Sequence, residues 1–313
     1  MTPMDGILDA DLARPRALPA AGGLELAVIV PTIGRAATVR RMIARLARQT
    51  RAPERILVVA VSPADVEGLA AVAPNAEIHF APKGLCSQRN HGLRQLGGRG
   101  GLVLFFDDDF LPADDYLARA EQLFLAAPDL VGATGLVVVD GANGRGVPFE
   151  EAEAILATNA GVAGPGPHEL PRRALYGCNM VLRLAAIGEL RFDEDLPLYG
   201  WQEDIDFSFR LGARGRLIKQ LDLRGVHMGE KAGKTSGRRL GYSQIANPVH
   251  LLKKGSIPRN LALKLMRNNI ASNLVGSLAP SPYIDRRGRL AGNLAALRDL
   301  ALGRLSPLRI LEM

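Results

Sequence analysis

The chain has 313 residues, 39 Lys/Arg against 32 Asp/Glu, a net charge of +7, two cysteines and an apolar fraction of 47%. That composition excludes wholesale disorder, and the length fits one large domain or a domain with an appendage. Cys86 and Cys178 are too few for a disulfide framework or a four-cysteine zinc site, and no apolar run reaches the ~18 residues of a membrane span. The first residues carry Asp5, Asp9 and Asp11 and no basic n-region, which does not read as a signal peptide, so a cytoplasmic location is expected. The charge is unevenly spread: residues 228–313 hold 15 Lys/Arg and 4 Asp/Glu (+11), and residues 1–227 hold 24 and 28 (−4). A basic tail on a mildly acidic body suggests contact with something anionic, such as a membrane face or a phosphorylated substrate.

Residues 1–23 are rich in Ala, Pro and Gly without periodicity and read as a flexible arm. Residues 24–30 (LELAVIV) form a nearly continuous apolar run, the pattern of a strand buried on both faces, ended by Pro31. Val39, Met42, Ile43 and Leu46 then recur at helical spacing with arginines opposite. The alternation continues with strands at 55–61, 77–81, 102–106 and 130–139, and helices at 64–72, 87–96 and 113–126. Strand and helix in turn predict a parallel sheet covered on both faces, with ligands beyond the carboxyl ends of its strands. Residues 140–175 are Gly/Pro-rich and read as a mobile excursion. A helix is expected at 201–212, a strand at 217–221 and a basic helical segment at 245–313.

LVLFF runs directly into Asp107-Asp108-Asp109, and no basic residue close in sequence neutralises these carboxylates. Crowding them at a strand end is costly without a cation. In an extended chain Asp107 and Asp109 share a side and converge on one ion, and oxygen ligands suit Mg²⁺ or Mn²⁺. A solvated acidic turn capping the next helix is the alternative. The second constellation is WQEDIDF at 201–207, with Glu203 and Asp204 in a first helical turn, where the helix dipole favours carboxylates. These are either helix-start acids beside a core Trp201, or a general base beside an indole platform for a sugar.

In that order and spacing, AVIVPTIGR, QRNHG, FFDDD, GCNMVLR and WQEDIDFSFRLGARG, over residues 24–230, resemble the inverting glycosyltransferases of family 2. The resemblance implies the GT-A fold, a Rossmann-like, mostly parallel α/β sheet flanked by helices, here with a basic helical C-terminal extension at 231–313. It implies transfer of a sugar from a nucleoside-diphosphate donor to a saccharide or lipid-linked acceptor. By the same resemblance Pro31, Thr32 and Arg35 line the nucleotide pocket, and Arg89 and Asn90 lie near the base, ribose and metal. Asp107 and Asp109 match the metal motif, with Asp108 beside the donor and His227 as a further ligand. Asp204 matches the catalytic base, Glu203 its companion acid, and Trp201 seats the acceptor. One departure stands out: Ala60 and Val61 occupy the place after the second strand where an acid usually contacts the nucleobase, leaving Asp65 as a substitute.

Gly233-Lys234-Thr235 imitates a phosphate-binding loop, but only three residues separate Gly229 from Gly233 where four are required. Lys231 and Lys234 instead suit a basic loop closing over the donor, or an idle solvated one. In the tail, Lys253, Lys254, Arg259, Lys264, Arg267, Arg286, Arg287 and Arg289 are interleaved with Leu, Ile and Met. Such a segment either lies on an anionic leaflet or packs on the catalytic domain as a solvated extension. No nucleic-acid-binding module is present. The competing classes are a sugar-nucleotide-forming nucleotidyltransferase, which VPTIGRAAT fits poorly, and a non-catalytic binding protein on a glycosyltransferase scaffold.

Overall fold

In the computed structural model, which describes residues 23–97, 100–159, 168–230, 236–279 and 281–313, the first apolar run forms strand β1 (Leu26–Pro31). Its side chains alternate between two cores: Leu26, Val28 and Val30 join Val39, Met42, Ile43 and Leu46 on one face, and Ala27 and Ile29 join Leu93, Phe105 and Phe207 on the other. Burial on both faces is why the run is unbroken in sequence. Residues 1–22 of the arm predicted at 1–23, and the loop lysines Lys231 and Lys234, lie outside the described residues.

Helix α1 (Ala36–Leu46) leads to β2 (Arg55–Ala60), a 3-10 turn (Pro63–Val66), α2 (Leu69–Val72), β3 (Glu77–Phe80), α3 (Leu85–Leu96) and β4 (Leu102–Phe106). Then follow β5 (Phe110–Pro112), α4 (Tyr116–Ala126), β6 (Leu130–Asp140), α5 (Phe149–Thr158), β7 (Glu169–Pro171), β8 (Asn179–Arg183), α6 (Leu184–Ile187), α7 (Glu203–Gly212) and β9 (Arg216–His227). Helices α8 (Gly237–Lys254), α9 (Arg259–Leu278) and α10 (Arg286–Ala301) and a 3-10 turn (Pro307–Glu312) form the extension.

The strands run in the order β3-β2-β1-β4-β8-β6-β9-β5, with β7 also paired to β9. β1 to β4 are parallel, but β8 lies antiparallel between β4 and β6, so the sheet is mostly rather than wholly parallel. The predicted strand at 217–221 extends to His227, and its final pairing with β6 sets His227 opposite Asp140. The segment expected to be a mobile excursion contains α5, whose Ala152 and Leu156 pack with Leu111, Val226 and Met228. Pro148 before it and Glu150 and Glu151 in its first turn are helix-start signals that the surrounding Gly/Pro content conceals.

The extension does not form a core of its own throughout. Leu251, Ile257, Leu261 and Ala262 belong to the same apolar cluster as Ile29 and Phe105. Lys254 reaches Asp193 at 2.6 Å and the buried Asp206 of α7 at 3.0 Å, so the beginning of the basic tail is clamped to the sheet domain. Among the described residues no helix is long and apolar enough to cross a membrane.

Candidate active site

Beyond Phe106 the chain turns sharply, closed by the Phe110 N–H donating to the Asp107 carbonyl at 3.0 Å. The turn, rather than an extended chain, separates the three carboxylates. Asp107 and Asp109 face His227, and one ligand atom from each lies within 4.8 Å of the others. Asp108 goes elsewhere: it accepts from the Thr32 hydroxyl and from Arg35 Nη1, both at 2.7 Å. Arg35 also lies 3.4 Å from Asp109. The absence of a basic residue near the triplet in sequence is therefore made good by the fold, through Arg35 on one side and Arg89 on the other.

His227 is held between two carboxylates, its Nδ1 2.9 Å from Asp140 and its Nε2 3.4 Å from Asp109. Burial alone would lower its pKa, but Asp109 and Asp140 prevail and raise it to about 10. Burial pushes Asp109 up, yet His227, Arg35 and the Glu230 N–H outweigh it and hold this carboxyl well below its usual range. The spot thus demands positive charge. Two carboxylates and an imidazole whose far nitrogen is pinned by a third acid form a donor set that fits a divalent cation. Tyr176 completes the arrangement by donating its hydroxyl to Asp140 at 2.9 Å.

Across from this group begins α7. Asp204 accepts from the Gly177 N–H at 3.0 Å and from the Ile205 N–H at 2.8 Å, and its burial raises its pKa against both bonds. Glu203 pairs with Arg89 at 2.5 Å, and Arg89 pairs in turn with Asp107 at 3.0 Å and donates to the Gly177 carbonyl at 2.8 Å. One fully buried guanidinium thereby joins the strand-end acids to the helix-start acids. Burial, with Asp204 and Asp107 nearby, raises the Glu203 pKa in opposition to Arg89.

The sequence-predicted donor residues fall into two groups. Pro31 ends β1, and Thr32, Arg35 and Asp108 hold one another at the same strand ends as the Asp107/Asp109/His227 group. Arg89 and Asn90 spend their side chains on contacts within the protein, Arg89 on Asp107 of the metal-site group itself. Arg89 is the internal clamp just described, and Asn90 bonds to both the N–H and the carbonyl of Phe192 and to Glu194, turned away from the site. Asp65 is held in place within the protein: its Oδ2 accepts from the N–H groups of Val61 and Ser62 and from the Ser62 hydroxyl, and its Oδ1 accepts from the Gly34 N–H.

Trp201 is half-buried, its ring stacked with that of Tyr199 at a centroid distance of 6.3 Å. Leu198 and Gln202 flank the pair with φ of 58° and 71°, strained values for non-glycine residues. The indole N–H of Trp201, both amide atoms of Gln202 and Oε2 of Glu203 are buried without a partner. Four unsatisfied polar atoms in three successive residues are a concentration that calls for partners from outside the chain, ordered water or a bound molecule.

Residues 27–162 match the family described as Glycosyl transferase family 2. Over those residues the chain is similar to family 2 glycosyltransferases. Its fold is that of solved GT-A glycosyltransferases. It is similar to the mannosyltransferase PcManGT from Pyrobaculum calidifontis, solved with GDP-Man and Mn²⁺, at 18% identity over 90% of this chain and 81% of that one, with a TM-score of 0.53. It is similar to GalNAc-T7, solved with UDP, GalNAc and Mn²⁺, at 12% identity over 94% of this chain but 57% of that one, with a TM-score of 0.56. The third is TarS residues 1–349 from S. aureus, at 17% identity over 92% and 82% of the two chains, with a TM-score of 0.55. No curated protein matches the sequence.

Two residues of this glycosyltransferase escaped the sequence reading. Gly177 gives the two acids room, since a Cβ there would sit 3.0 Å from Glu203 Oε1 and 3.3 Å from Asp204 Oδ2. It stands within GCNMVLR, but nothing local reveals which acids press on it. Asp140 could have been found, since it follows the run VVV as Asp107 follows LFF.

Proposed function

We propose that this glycosyltransferase transfers a sugar from a nucleoside-diphosphate donor to a hydroxyl acceptor with inversion at the anomeric carbon. The observation that carries the reading is the single buried Arg89 linking Asp107 of the Asp107/Asp109/His227 group to Glu203, immediately beside Asp204. A divalent cation held by Asp107, Asp109 and His227 would offset the charge that grows on the leaving diphosphate. The imidazole nitrogen in that set favours Mn²⁺ over the strictly oxygen-seeking Mg²⁺.

Asp204 takes the proton of the acceptor hydroxyl as its oxygen attacks the anomeric carbon, and burial suits it to that role by raising its basicity. The Gly177 and Ile205 N–H groups fix the carboxylate plane, and Glu203 stays paired with Arg89 to keep the start of α7 in place. The Tyr199–Trp201 pair offers an aromatic face to the acceptor, a saccharide or a lipid-linked sugar of polysaccharide or glycolipid assembly.

A thermal-shift series with GDP, UDP and dTDP, with and without Mn²⁺, tests the donor half of this reading. One nucleotide should raise the melting temperature only when the ion is present, because a ligand selective for the folded state stabilises it by mass action. If no nucleoside diphosphate shifts the melt with Mn²⁺ at millimolar concentration, the donor assignment is wrong.

Asp140 supplies a second test. Its carboxylate fixes which imidazole nitrogen of His227 faces the ion, so Asp140→Asn should weaken Mn²⁺ binding by about 10–100-fold, read by calorimetric titration. Unchanged affinity would remove His227 from the ligand set.

A further inference from the structure

Fifteen large apolar side chains stand exposed in the described residues, and ten of them lie beyond residue 260. The rest of the molecule hides its apolar surface well, so this concentration calls for an occupant. On α9 the exposed residues Ala271, Leu274, Val275 and Leu278 follow one helical face, with Val275 68% and Leu278 81% accessible. Tyr283, in the turn between α9 and α10, is exposed as well.

Arginines border this tip. Arg286 lays its stem over Gly276 and donates to Ser272 and Asn273, and Arg287 reaches the Ser277 carbonyl. Arg267 is exposed further back on α9, a helix with no acidic residue along its whole length. Asp285, the acid at the tip, caps α10 by accepting from the Gly288 N–H. Lys254 is not part of this surface, because Asp193 and Asp206 hold it.

We propose that the end of the α9–α10 hairpin docks on an anionic lipid leaflet, burying Leu274, Val275, Leu278 and Tyr283 among the acyl chains while Arg286 and Arg287 meet the headgroups. Charge decides between the candidate occupants. A second copy would bring the same arginines face to face, whereas an anionic headgroup layer complements them. Neither helix is apolar enough to span, so the contact is interfacial.

The position of the surface also matters. Leu198, next to Tyr199 in sequence, packs on the apolar cluster that also holds Ile270 of α9 and Ala296 of α10. Docking would therefore set the Tyr199–Trp201 loop beside the lipid surface. That consequence rests on the acceptor reading above, but the docking itself does not.

Flotation of the full chain with vesicles, in the absence of any nucleotide sugar, tests the proposal independently of catalysis. The chain should float with phosphatidylcholine–phosphatidylglycerol vesicles, much less with pure phosphatidylcholine, and less as salt rises. Leu274→Ser/Leu278→Ser and Arg287→Glu should each reduce partitioning by about tenfold or more with an unchanged melting temperature, since all three side chains are exposed. Failure of the parent chain to float would overturn the proposal. So would equal partitioning of parent and variants, or a concentration-dependent dimer that the Leu→Ser pair abolishes in a chain that ignores vesicles.

Discussion

Asp204→Asn should lower kcat by about 10²–10⁴-fold while leaving the Kd for the donor nucleotide with Mn²⁺ within a few-fold of its original value. The substitution keeps the volume of the side chain and removes its ability to accept a proton. Asp204 uses one oxygen on the Gly177 N–H and the other on the Ile205 N–H, so an amide can satisfy only one of these donors and must oppose the other. That conflict costs stability by about 1 kcal/mol, too little to unfold the chain, so a folded and nucleotide-binding variant remains to be assayed. The separation between kcat and nucleotide binding is the informative quantity. A side chain that only shaped the pocket would move both together, whereas a base that acts during transfer moves kcat alone. Turnover within a few-fold of the parent enzyme would assign the base elsewhere.

How much of this was legible in the sequence depends on the range of the interactions involved. β1 and β4 could be read because burial on both faces leaves an unbroken apolar run, a property of neighbouring residues. The placement of Asp107 after β4 and of Glu203 and Asp204 at a helix start is equally local. The division of labour within Asp107-Asp108-Asp109 was not legible. It depends on Thr32 and Arg35, 76 and 73 residues from Asp108, and on Arg89 and His227. The contacts of Arg89 and Asn90 were hidden for the same reason: apart from Asp107, their polar groups meet Glu203, Gly177, Phe192 and Glu194, all about a hundred residues away. QRNHG turns out to be largely architectural. Gln88 bonds the carbonyls of Thr32 and Val59 across the ends of β1 and β2, and Gly92 lets α3 approach β1 so closely that a Cβ would lie 2.8 Å from Ile29.

Arg89→Met should be the most damaging single change to the fold, lowering stability by about 3–5 kcal/mol and the melting temperature by roughly 10 °C. Methionine matches the length of the arginine stem and suits the space between Phe105 and Phe192, whose ring centroids lie 5.6 and 5.3 Å from the guanidinium carbon. The cost therefore comes from the lost charge and not from a cavity. Asp107 keeps contact with solvent through its 23% exposed side chain, but Glu203, 6% exposed, is left a buried acid with no cation, and the Gly177 carbonyl loses its donor. Arg89→Lys separates charge from geometry. An ammonium preserves the charge but cannot fork to reach Asp107, Glu203 and the Gly177 carbonyl at once, so the lysine variant should recover part of the stability and little of the activity. Melting curves and Mn²⁺ titrations of both variants provide the check. If Arg89→Met melts within about 2 °C of the parent chain, the guanidinium is not the strut between the two halves of the site. Asp107 and Glu203 would then have to be held in place by their own backbones.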